Sequence, residues 1–150
     1  MTHDELLAKL PQLPPMRLVE QILEVAAGQH VRSRRIANAS DWYFQGHFPD
    51  DPVVPAIILV ELVAQTGGLA AASDHESERA AAGLRVAAFG PFKFPDAARP
   101  GNVLETTARV VGRMRGIVKI EGVVTADGRL VASGSVVLAE VRDRAAGVRT

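Results

Sequence analysis

Residues 55–73 read PAIILVELVAQTGGLAAAS, and the reading of this stretch decides the architecture. Pro55 suits the start of a helix, because the N–H it lacks has no partner in a first turn. Apolar side chains occur all round the helix that follows, so it is expected to be buried on most faces. Gly67-Gly68 is unfavourable inside a helix by roughly 1 kcal/mol per glycine relative to alanine. The pair therefore marks a close-packing site or the point where the helix weakens. One apolar helix cannot bury itself and needs a curved sheet wrapped around it.

The flanking sequence supplies strands for that sheet. Leu18 to Val25 (LVEQILEV) is apolar enough for a strand, Gly28 marks a turn, and Gln29 to Asn38 reads as a polar second strand. Its polarity places it at an edge or with one face out. Downstream, Leu84 to Phe94 is a strand region broken by Gly90-Pro91, Arg99 to Asn102 is a turn, and Val103 to Val111 is a strand. Gly112 to Gly116 reads as the next turn. Ile117 to Ala126 and Arg129 to Val141 are joined by Asp127-Gly128, a strong two-residue hairpin signal. The fold class is thus α+β: an antiparallel β-sheet wrapped around one long central helix.

The ends add little. Residues 1–10 form a short helix with Leu6, Leu7 and Leu10 on one face, ended by Pro11, Pro14 and Pro15. Ser73 to Arg79 reads as a charged solvated loop and Arg142 to Thr150 as a frayed polar tail. No internal repeat is visible, and 150 residues suit one domain, 1–150.

Composition narrows the function. The chain has 17 basic and 17 acidic residues and is 47% apolar, enough for a real core. Balanced charge argues against nucleic acid or a membrane surface as partner. With no cysteine, disulfides, Cys-ligated zinc, iron–sulfur clusters and thiol nucleophiles drop out. Met1 to Leu7 is acidic early and has no apolar signal region. The run Ile57 to Ala72 is interrupted by Glu61 and Gln65, too short and too polar for a membrane span. A cytoplasmic protein is expected.

Two residues do not fit a plain core. A bare carboxylate at Glu61, mid-helix, costs several kcal/mol unless it is paired or protonated, and burial raises its pKa. A helix face open to solvent, with Glu61 and Gln65 as a polar stripe, explains the residue as well as a functional carboxylate does. A lone histidine is ordinarily a surface or satisfied core residue, and His3, His30 and His75 fit that description. His47 differs. It lies in Gln45-Gly46-His47-Phe48-Pro49, in a segment that holds the only Trp and the only Tyr of the chain, Trp42 and Tyr43, and three prolines. A stiff loop can hold an imidazole in one orientation. Histidine and a buried carboxyl make an acid–base pair when they face a small apolar cavity. No third ligand at a recognised spacing points to a metal.

Residues 42–65, WYFQGHFPDDPVVPAIILVELVAQ, resemble the signature of the 3-hydroxyacyl-[acyl-carrier-protein] dehydratases, FFxGHFPxxPxMPGVLxxExxAQ, with His47 and Glu61 spaced as in that pattern. Leu18 to Val25, Phe89 to Asn102 and Arg113 to Ala132 also resemble the family's corresponding segments. The resemblance implies the hotdog fold and dehydration of a 3-hydroxyacyl thioester, on acyl carrier protein or coenzyme A, to the trans-2-enoyl thioester. It implies His47 as the base, and Glu61 as the acid with Gln65 beside it. The Ala56 N–H would sit at the thioester oxygen, and the Val53 carbonyl would hold the second ring nitrogen of His47. Phe44, Phe92 and Phe94 would line an acyl tunnel. No cofactor is implied. A homodimer sharing its sites is implied, with a trimer of dimers as a common larger form. Glu61, where isomerising relatives carry Asp, implies the non-isomerising type.

Departures from the pattern are Ala56 for glycine, Gln12 to Met16 for an HRYPF-like stretch, Asp50-Asp51, and Pro95-Asp96 for a basic pair. The last weakens a positive rim for an acidic carrier, which Lys93, Arg99, Arg113 and Arg115 would have to replace. Two other functions compete: a hotdog acyl thioesterase, which does not need the His47 loop, and a non-catalytic acyl-binding homologue.

Overall fold

The computed structural model describes residues 1–74 and 83–141. Its elements are α1 (His3–Leu7), β1 (Gln21–Ala26), β2 (His30–Ile36), a short 3-10 turn (Trp42–Phe44), α2 (Ala56–Ala72), β3 (Leu84–Lys93), β4 (Val103–Met114), β5 (Ile117–Ala126) and β6 (Arg129–Glu140). The six strands form one sheet in the order β1-β2-β4-β5-β6-β3, every neighbouring pair antiparallel. The sheet packs on α2 through β2, β4, β5 and β6.

The helix is as apolar in its surroundings as in its sequence: 14 of its 17 residues are buried. Gly67-Gly68 does not weaken it. A Cβ on Gly67 would lie 2.6 Å from Ile120 Cγ2, and one on Gly122 would lie 2.5 Å from Val63 Cγ1. Each glycine makes room for an aliphatic side chain of the facing element, so helix and sheet approach closely. Gly68 has no atom within 4 Å of such a Cβ and borders a cavity instead.

Strand alternation follows the core. β5 alternates exposed and buried along its whole length, with Val118, Ile120 and Val124 inward. Asp127 (φ 48°) and Gly128 (φ 85°) both take the left-handed conformation of a tight hairpin turn.

One open choice is decided, for one face out, and three expectations change in detail. β2 is an interior strand, between β1 and β4. Its polarity is one-sided: Val31, Ser33 and Arg35 point inward and are buried. Buried Ser33 is satisfied by Thr66, hydroxyl to hydroxyl at 2.8 Å. β1 begins at Gln21, because the backbone of Leu18 is bonded by side chains, the Gln65 amide and the Arg35 guanidinium. Gly112 is not in a turn. β4 runs on to Met114, and the ladder shifts register between Val110 and Gly112, so the glycine marks a bulge. β3 likewise continues through Gly90-Pro91, with a register shift between Phe89 and Phe92. At the N-terminus Leu6 and Leu10 enter the core and Leu7 packs against it. Ser73 caps α2; the rest of the charged segment from His75 on, and the tail 142–150, lie outside the described residues. No helix among the described residues is long and apolar enough to cross a membrane.

Candidate active site

The chain reaches His47 through a sharply folded loop. Gly46 (φ 72°) and Phe48 (φ 62°) both have left-handed backbones, and Phe48 is not a glycine. Such a conformation costs about 1–2 kcal/mol for an L-residue and persists only where neighbours hold it. Here the His47 N–H donates to the Phe44 carbonyl (3.2 Å), the Asp51 N–H to Phe48 (2.9 Å) and the Val54 N–H to Ala98 (2.7 Å). Nδ1 of His47 lies 3.2 Å from the Val53 carbonyl. A carbonyl only accepts, so Nδ1 donates, and in the neutral ring Nε2 carries the lone pair. The half-buried imidazole borders a cavity of about 430 Å³ with Val53, Val54, Ala56, Leu59, Phe94 and Ala98.

Ala56 opens α2 at the wall of that cavity. Pro55 caps the helix without a side-chain bond, and its carbonyl accepts from Ile58 (2.9 Å) and Leu59 (3.4 Å). The N–H groups of Ala56 and Ile57 precede the intrahelical ladder and lie at the positive end of the helix dipole. Phe92 and Phe94 stack, centroids 5.9 Å apart, with Phe94 facing the cavity and Phe92 over Gly134. Phe44 is packed in the core against Tyr43 and borders neither this cavity nor the next.

Glu61 borders a second cavity, of about 220 Å³, with Leu10, Gln12, Ala64, Gly68, Arg85 and Leu138 among its walls. Burial pushes the carboxyl pKa up, against a hydrogen bond from Gln65 that pulls it down. Gln65 is itself fully buried and uses its whole amide. Its Nε2 donates to Glu61 Oε1 (3.1 Å) and to the Met16 carbonyl (2.8 Å), and its Oε1 accepts from the N–H of Leu18 (2.9 Å) and Val19 (3.4 Å). One carboxyl oxygen of Glu61 is thereby fixed.

His47 and Glu61 therefore border different cavities of one chain. The two cavities lie toward opposite ends of β3: Leu84, Arg85 and Val86 at its start line the Glu61 cavity, and Phe94, just past its end, lines the His47 cavity. Two exposed ion pairs, Asp51 with Arg99 and Asp96 with Arg129, lie near the His47 side, and Asp96 borders the cavity. The Ala97 N–H and Arg129 hold the Asp96 carboxyl below the usual range.

Sequence reasoning missed the polar cluster behind the His47 loop. Arg35 pairs with Asp41 (3.0 Å), and the Tyr43 hydroxyl donates to the same Asp41 oxygen (2.6 Å). Burial, with Asp41 adding to it, pushes the Tyr43 phenol up to about 12, which keeps it a donor. The signal was present in the alternation of β2, which puts Arg35 on the face of Val31 and Ser33, where a guanidinium must find partners. Gln12 and Arg85 had no comparable signal.

A family model for the FabA-like domain matches residues 10–135. The 3-hydroxyacyl-[acyl-carrier-protein] dehydratase FabZ of Roseiflexus sp. (strain RS-1) is 35% identical over 119 residues, 79% of this chain and 82% of the relative. The protein of the same name from Chloroflexus aggregans is 33% identical over 119 residues, 79% of this chain and 81% of its own length. The chain belongs to the 3-hydroxyacyl-[acyl-carrier-protein] dehydratase family. Among solved structures, the dehydratase heterocomplex ApeI:P from Xenorhabdus doucetiae superimposes with a TM-score of 0.75 at 20% identity, over 92% of this chain and 91% of that one. A hypothetical thioesterase with coenzyme A from Streptococcus pneumoniae TIGR4 gives 0.59 at 18% identity, over 81% and 84%. These two likenesses establish the hotdog fold for this dehydratase-family chain.

Proposed function

We propose that this chain removes water from a 3-hydroxyacyl thioester on acyl carrier protein, giving the trans-2-enoyl thioester in fatty-acid biosynthesis, and that two copies build each site. Family membership supports the reaction. The observation that carries the residue assignment is an imidazole with Nδ1 tied to a carbonyl, bordering a cavity that also receives a helix N-terminus.

His47 Nε2 takes the proton from C2. The electrons of that bond form the C2–C3 double bond through an enolate-like state, whose thioester oxygen is stabilised by the Ala56 N–H and the helix dipole. The C3–O bond breaks as Glu61 gives its proton to the departing hydroxyl, which leaves as water. His47 ends with one proton more and Glu61 with one fewer, and exchange with solvent resets both. The raised pKa of Glu61 keeps its proton available. No electrons pass to an acceptor, so the steps call for no cofactor. Phe94, with Phe92 stacked on it, forms the apolar wall for the acyl chain.

The geometry of β3 favours a shared site. Among the described residues β3 pairs only with β6, and its free edge presents Val86 (39% exposed) and Phe89 (56%). An apolar free edge is a template for another strand. A second copy laid antiparallel along it sets the start of one β3 beside the end of the other. The Glu61 cavity of one protomer then meets the His47 cavity of its partner. In this reading residues 1–150 act as one domain, the enzyme is cytoplasmic, and dimers assemble in threes.

The test is incubation with a crotonyl thioester, following enoyl absorbance and thiol release separately. Hydration that disappears in His47→Ala and in Glu61→Gln is the expected result. Thiol release without hydration would make the chain a thioesterase. Neither activity, with acyl ligand bound, would make it a binding protein.

A further inference from the structure

Arg35 is the one buried arginine among the described residues, 8% exposed, and the dehydration steps above do not use it. A charge is costly to bury, and its partners show where it is anchored. Nη2 lies 3.0 Å from Asp41 Oδ2, Nη1 donates to the Leu18 carbonyl at 3.0 Å, Nε lies 3.4 Å from the Tyr43 hydroxyl, and Cζ sits 5.6 Å above the Tyr43 ring.

These contacts lead in two directions. Toward α2, the peptide unit whose carbonyl takes the Arg35 bond carries the Val19 N–H, which donates to Gln65 Oε1 at 3.4 Å, and the neighbouring Leu18 N–H donates to the same oxygen at 2.9 Å. The other end of that amide holds Glu61. Toward the loop, Asp41 also accepts from the Asn38 N–H (3.0 Å), and its own carbonyl accepts from the Phe44 N–H (3.2 Å). The Phe44 carbonyl then takes the His47 N–H. An unbroken run of bonds thus joins the two catalytic candidates of one chain, with a single guanidinium near its middle.

We infer that Arg35 is a positioning residue for both groups: through Leu18–Val19 and Gln65 it sets the Glu61 carboxyl, and through Asp41 and Tyr43 it sets the His47 loop. This rests on the reading that His47 and Glu61 perform the dehydration. Since the His47 and Glu61 of one protomer serve different sites of the dimer, Arg35 mechanically links two sites and touches neither substrate. A lysine there keeps the charge but, as a single ammonium on a flexible stem, cannot span the carbonyl on one side and the Asp41–Tyr43 pair on the other.

The test uses the full-length dimer with Arg35→Lys and, separately, Tyr43→Phe. Thermal unfolding and sedimentation establish that each variant is folded and dimeric. In Arg35→Lys, kcat for crotonyl-thioester hydration is expected to fall about tenfold, the scale of a small misplacement of reacting groups. KM is expected to stay within about twofold, since no substrate contact is removed. In NMR spectra, the Gln65 side-chain amide and the His47 imidazole should both move in Arg35→Lys, and the His47 imidazole should move in Tyr43→Phe. A folded Arg35→Lys with wild-type kcat, or with both resonances unmoved, overturns the inference. If Arg35→Lys does not fold, an unmoved His47 resonance in Tyr43→Phe overturns it and a shifted one supports it. A wild-type chain that does not hydrate the thioester sinks the enzymatic reading instead, and the spectra alone then judge whether Arg35 couples the two groups.

Discussion

The His47 loop and the Glu61 helix turn hold their side chains by different means. The bonds made by His47 itself are local: its N–H is bound three residues back, its Nδ1 six residues on, and left-handed backbones flank it. Around Glu61 they come from far along the chain. Gln65 is four residues away, but its own partners are Met16, Leu18 and Val19, more than forty residues back. A base that must meet one C–H bond can be aimed by a short stiff loop. An acid that must stay protonated has to be buried, and burial requires distant parts of the chain to close over it.

If these two scaffolds serve one reaction, removing either end should be nearly fatal. His47→Ala and Glu61→Gln should each lower kcat for hydration by about 10³-fold, the middle of the range for a general acid or base. Thermal unfolding should show both variants folded. The next effect tests whether the two ends meet across chains. Separately inactive His47→Ala and Glu61→Gln proteins, mixed in equal amounts after dissociation, should recover about a quarter of wild-type activity. Half of the dimers are then mixed, and each mixed dimer holds one intact site and one doubly damaged site. A site built within a single chain would recover nothing.

A smaller effect separates the scaffolds. Gln65→Leu removes the donor to Glu61 and leaves the Leu18 N–H and the Met16 carbonyl without their partner. Stability should drop by about 2 kcal/mol, read from urea unfolding. The pH profile of dehydration should also change in a defined sense. With Glu61 as the acid, kcat falls as pH rises through its already raised pKa. The Gln65 bond pulls that pKa down, so its loss moves the alkaline limb to higher pH. A limb that moves to lower pH would mean that Gln65 does not donate to the carboxylate.

The same contrast explains what could be read without coordinates. The α2 helix and the β5–β6 hairpin follow from an apolar run and from Asp127-Gly128, both local signals, whereas the place of β3 beside β6 does not. The resemblance across residues 42–65 picked out both His47 and Glu61. Gly112 misled, because a glycine reads alike in a bulge and in a turn until the partner strand is known. Leu18 reads as strand on its apolarity, while its backbone is claimed by Gln65 and Arg35, contacts that no window of neighbouring residues contains. The two cavities were equally out of reach, since each is walled by elements distant in sequence.

The smallest expected effect asks how much of the His47 geometry is backbone and how much is ring. Phe48 has φ 62° and stands with its ring centroid 4.3 Å from that of His47. Phe48→Ala removes the ring and keeps the left-handed cost of an L-residue; Phe48→Gly removes both. Glycine should be more stable than alanine here by about 1 kcal/mol, against its usual disadvantage, because it takes this conformation without a Cβ clash. Urea unfolding of the two variants measures the difference directly, with the lost ring contact cancelling between them. If alanine is the more stable, the loop does not hold Phe48 left-handed in solution, and a backbone-aimed His47 loses its main support. If glycine is more stable and both variants lose the same few-fold in kcat, the ring packs His47 while the backbone aims it.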